Sequence, residues 1–145
     1  MKKGILAMCL VLAACVENNN NYGYGWEYDY RDESTGLRVR YDLAETDFYP
    51  FSQINQWYIE TMECTQIFAA VGPLVIILDT DYVDGIHRGM IYVDAGLILI
   101  GGQIINKIDR TIKHEFIHYL LAASGYVHDP NNQHESDLFY SCNPP

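Results

Sequence analysis

The run from Asn106 to Gly125, NKIDRTIKHEFIHYLLAASG, constrains this chain more than any other stretch. Ile105, Ile108, Ile112, Phe116, Tyr119 and Ala123 fall on one face at 100° per residue, the signature of a helix packed against a core. Asn106 and Asp109 have the spacing of a capping box, and Gly125 suits the left-handed position past a helix end. Yet between Lys113 and Asp129 the only formally charged residue is Glu115, and it stands between His114 and His118. Residues four apart share a helix face, so the two imidazoles sit about 40° apart around the axis with the carboxylate on their flank. Burying an unpaired carboxylate and two polar rings is costly. The fold must therefore bring something to them.

A divalent metal ion removes that cost by coordinating both imidazoles. The pattern His-Glu-x-x-His has the mechanics of zinc hydrolases. His114 and His118 would ligate one Zn(2+) ion through neutral nitrogens, and the zinc would lower the pKa of its water to about 7. Glu115 would accept the water's proton as it attacks a peptide amide, then deliver it to the leaving amine.

Through HEFIH (114–118) the chain resembles the zincin metallopeptidases. It departs from the metzincin branch, since Leu121 and Ser124 stand where that branch has glycine and histidine. No following helix is evident to supply a glutamate in the thermolysin manner. The tail QHESDLFYSC (133–142) resembles the C-termini of small bacterial envelope proteins that carry His-Glu-x-x-His. The resemblance spans roughly residues 60–142. It implies an α+β, minimal zincin-like domain: a small, mostly antiparallel sheet, a supporting helix and an active-site helix. It also implies that LILIG (97–101) is the edge strand a peptide substrate joins by backbone pairing.

A catalytic zinc usually takes three protein ligands and keeps one position open. The candidates for the third are His128, Asp129, His134, Glu135 and Asp137. From His118 to Gly125 the helix rises about 10.5 Å, a distance the chain must retrace. His128, three residues past Gly125, barely returns at about 3.4 Å per residue, whereas His134, beyond the turn-forming DPNN, returns easily. His134 is the expected ligand and His128 the alternative. Tyr119, Tyr126 or Tyr140 could stabilise an oxyanion, and Asp129 or Asp137 could orient a ligating ring. His87, in a glycine-containing loop, reads as a surface residue.

The N-terminus combines Met1-Lys2-Lys3 with an apolar stretch, GILAMCLVLA, too short to span a bilayer. Leu12-Ala13-Ala14-Cys15 follows and resembles a bacterial lipoprotein signal. That resemblance implies removal of residues 1–14, acylation of Cys15 and membrane attachment through the lipid. Val16 after the cysteine implies, by the same resemblance, the outer membrane facing the periplasm. In that oxidising compartment Cys64 and Cys142 form the remaining even pair and are expected to make a disulfide. The whole chain has 19 acidic and 9 basic residues, a net charge of −10, which argues against nucleic acid or anionic lipid as partners.

Residues 15–36 read as an Asn-, Gly- and Tyr-rich linker, and 37–145 as the metal-binding domain. Within it, 37–43 alternates like a half-exposed strand, and 74–79, 90–94 and 97–101 read as further strands. Phe51 to Ala70 reads as a helix capped by Ser52. The tail beyond Gly125 shows no clear helix. Strand, helix, strands, helix and irregular tail suggest an α+β domain. Two other functions are compatible with the sequence: a non-catalytic zinc-binding envelope lipoprotein acting as a structural or interaction module, and an anchored adhesin using the tyrosine-rich stretch.

Overall fold

A computed structural model describes residues 26–43, 49–103, 108–125 and 133–145 of the chain. The expected signal, Cys15, Asn106, Tyr126, His128 and Asp129 lie outside these residues. The described part is an α+β fold: a five-stranded sheet with two long helices packed on one face. No helix among the described residues is long and apolar enough to cross a membrane.

The strands are β1 (Tyr30–Arg31), β2 (Arg38–Asp42), β3 (Leu74–Leu78), β4 (Gly89–Tyr92) and β5 (Leu97–Gly101). They lie in the order β1-β2-β3-β5-β4. The β2–β3 and β3–β5 pairs are parallel, and the β1–β2 and β4–β5 pairs are antiparallel. The sheet is thus mixed, with a parallel centre, where a mostly antiparallel one was expected. The cause is the helical crossover between β2 and β3, which returns the chain in the same direction, as parallel pairing requires. LILIG is likewise not an edge. It is β5, inserted between β3 and β4, and β4 is the edge strand on that side.

The strand sequences match these positions. β3 (LVIIL) and β5 (LILIG) are internal and apolar on both faces. Val75, Ile77, Ile98 and Ile100 face the helices, while Leu74, Ile76 and Leu97 form a smaller cluster on the opposite face. β1 comes from the stretch read as linker. Its Tyr30 stacks on Phe51 with ring centroids 5.5 Å apart, and the neighbouring Asp29 accepts the Tyr41 backbone N–H at 2.7 Å. Aromatic stacking and one ladder outweigh the spacer-like composition there.

Helix α1 (Phe51–Thr65) buries Ile54, Tyr58, Thr61, Met62 and Thr65, a single face at helical spacing. Pro50, not Ser52, occupies the cap position, and Ser52 lies inside the first turn. The helix also stops short of Ala70. Gln66 takes a left-handed conformation (φ 57°), and the Thr65 hydroxyl turns back to donate to the Thr61 carbonyl.

Helix α2 (Ile108–Ala123) lies beside α1 and presents Ile112, Phe116 and Leu120 to the main core. Its other side, through Ile117 and Leu121, is covered by the tail, where a 3-10 turn (Gln133–Glu135) leads into the short helix α3 (Leu138–Ser141). The tail is more ordered than its turn-rich composition suggests. Cys64 at the end of α1 is disulfide-bonded to Cys142 just past α3, with Cα atoms 5.7 Å apart across 78 residues of sequence. The Asn143 side chain then donates to the Arg110 carbonyl at 2.9 Å, holding the chain end to the first turn of α2.

Candidate metal centre

His114 and His118 project one turn apart from α2, and the 3-10 turn of the tail brings His134 against them. The Nε2 atom of His114 lies 3.1 Å from that of His118 and 3.1 Å from that of His134. Ligand atoms of all three residues fall within 4.8 Å of one another. A neutral imidazole nitrogen has one in-plane lone pair and cannot accept two such hydrogen bonds well. Tetrahedral coordination with Zn–N bonds of about 2.0–2.1 Å places two donors about 3.3 Å apart. The trio therefore fits a metal ion better than it fits mutual hydrogen bonding, and these three histidines could hold one.

The protonation state agrees. Burial, with a smaller contribution from the charge of His134, lowers the His114 pKa to about 4. Its ring is thus neutral at neutral pH, the form that ligates metals. Glu135 and Asp137 are exposed and do not join the cluster.

Glu115 is 7% exposed, and its carboxylate lies against Gly89 at the start of β4. Burial pushes its carboxyl up to about 7, against a weaker downward pull from His87. His87 itself is exposed, as expected of a surface residue, but it is not free: its Nδ1 pairs with Asp84 Oδ2 at 2.8 Å. Asp84 also accepts the backbone N–H groups of Ile86 and His87, which fixes the loop that enters β4.

The three candidate tyrosines separate. Tyr119 is buried, and its hydroxyl donates to the Val71 carbonyl, tying α2 to the turn before β3. Tyr140 is exposed and lines a cleft shared with His114 and His134. Tyr126 lies outside the described residues.

Three features of the site carry no motif in the sequence. The Phe139 ring, buried on α3, packs against all three imidazoles with centroids 4.9, 4.6 and 5.1 Å from His114, His118 and His134. Gly89, the first residue of β4, leaves room for Glu115, because a β-carbon there would lie 2.7 Å from Oε1. Arg88 and Arg110 line a cavity of about 230 Å³ beside His114. Only the spacing of Phe139 between His134 and Cys142 offered a signal, once the tail is known to fold back.

Compared with known proteins, the chain matches no family model, no curated protein and no solved structure.

Proposed function

We propose that this chain is a zinc-dependent peptidase of minimal zincin-like design, carried on a bacterial cell-envelope lipoprotein anchored through Cys15. The observation that carries the reading is the convergence of His114, His118 and His134, with the buried Glu115 next to His114 on the same helix. Three imidazole nitrogens suit zinc among the common biological metals, and one ion satisfies them. When bound, zinc would supply Lewis-acid chemistry to water and to a substrate carbonyl. Glu115, with a pKa near neutrality, takes a proton from the attacking water and returns it to the leaving nitrogen. Phe139 holds the three rings in register from the tail side, and Gly89 keeps the Glu115 carboxylate close to edge strand β4. A peptide substrate would add to that free edge by backbone pairing.

The test compares wild type with Glu115→Gln on a peptide library. The variant should keep its zinc and lose cleavage, whereas cleavage that survives the change would refute the assignment. A second reading, zinc as a structural clip in a non-catalytic module, is favoured by the modest size of the clefts, about 230 and 240 Å³, against roughly 300–1,000 Å³ for typical ligand sites. Zinc binding without cleavage by wild type would establish it.

A further inference from the structure

We infer that the cleft beside His114 is a carboxylate-binding subsite, so that the preferred substrate carries a negative charge close to the scissile bond. This deepens the peptidase reading and rests on it for the word substrate. Arg110 and Thr111 in the first turn of α2, Arg88 at the entrance to β4, and Asn143 of the tail line a shallow, open cleft of about 230 Å³ that His114 also lines. Arg110, His114 and Asn143 continue into a second cleft of about 240 Å³ that includes His134 and Tyr140. Among the described residues no Asp or Glu lines either space. On α2, Asp109 sits about 140° of arc from His114, on a different face.

The arginines stand out in a chain whose 19 acidic residues outnumber its 9 basic ones. Among the described residues the ion pairs use Arg31, Arg40, His87 and Lys113, and neither Arg88 nor Arg110 meets a carboxylate. The Arg110 Nε is buried with no hydrogen-bond partner. A guanidinium that meets no carboxylate of its own chain can take one from a ligand in a charge-assisted, often bidentate pair. Peptide chemistry offers two sources: the free C-terminus, which would make the activity a carboxypeptidase's, and an Asp or Glu side chain.

The experiment is calorimetric titration of the full chain carrying Glu115→Gln, in zinc-loaded and metal-free forms. The probes are hexapeptides of one sequence ending in a free acid or an amide and, in the amide series, with Glu or Gln scanned through internal positions. One carboxylate probe should bind about tenfold tighter than its amide counterpart, in both metal states. That advantage should fall below about threefold in Arg88→Gln and Arg110→Gln, and return in part with Arg→Lys. Equal binding of acid and amide probes, no binding of any carboxylate probe, or an advantage untouched in both arginine variants would overturn the subsite. Because Arg88 is exposed, its substitution leaves the fold intact, and zinc content checks the Arg110 variant. Cleavage by wild type is read separately. Carboxylate preference without turnover refutes the peptidase and leaves the subsite standing, and turnover without preference does the reverse.

Discussion

The α-carbon of Gly89 faces the carboxylate of Glu115 so closely that a β-carbon there would come within 2.7 Å of Oε1 and 3.0 Å of Cγ. Gly89 is not among the residues with positive φ, so the glycine is needed for space and not for an unusual backbone. Gly89→Ala should therefore fold and bind zinc like wild type while moving the Glu115 carboxylate off its position. A displacement of that kind costs on the order of a hundredfold in rate. Steady-state cleavage together with zinc content checks this, and full activity in Gly89→Ala would show that the contact is irrelevant to the chemistry.

The disulfide between Cys64 and Cys142 closes a long loop and holds α3, which carries Phe139, against the three histidines. Replacing both cysteines by serine should cost about 4 kcal/mol of stability through loop entropy. It should also weaken zinc binding by about tenfold or more, as loss of a supporting contact around a metal ligand does. Chemical denaturation and a competitive chelator titration measure the two effects. An unchanged zinc affinity would mean that His134 is held without the bridge.

Much of this arrangement is legible in the sequence, and the missing parts share a physical cause. The HEFIH helix is readable because its apolar residues keep one helical face while two imidazoles and a carboxylate interrupt it. The approximate extents of β2 to β5 are readable from alternation or apolar runs. Their order is not, because LVIIL and LILIG are apolar on both faces and carry no period to tell an internal strand from an edge. The end of α1 is also hidden, since nothing in the composition of 66–70 predicts a left-handed Gln66. Phe139, Arg88 and Arg110 become site residues only through tertiary approach, when the tail folds back and α2 meets the entrance to β4.

The buried carboxyl and the buried imidazole should leave opposite marks on the pH dependence of the metal-free protein. The Glu115 pKa is raised from 4.5 to about 7, so its contribution to stability is present below 4.5 and lost as the pH rises through 7. The His114 pKa is lowered from 6.5 to about 4, so its contribution is present above 6.5 and lost as the pH falls through 4. The two slopes oppose each other in wild type. Glu115→Gln removes the first, so with chelator present the variant should gain stability as the pH rises from about 4 to 6.5. At about pH 8 it should exceed wild type by on the order of 3 kcal/mol. Thermal melts across that range decide, and a variant less stable than wild type at the alkaline end would contradict the burial argument.

The imidazoles of His114, His118 and His134 are placed so that they could hold one metal ion. The direct measurement is zinc content and affinity of the purified chain, wild type beside His134→Ala and His128→Ala. Wild type and His128→Ala should each carry one tightly bound zinc, and His134→Ala should lose it. Zinc retained at wild-type affinity in His134→Ala, or lost only in His128→Ala, would contradict that expectation.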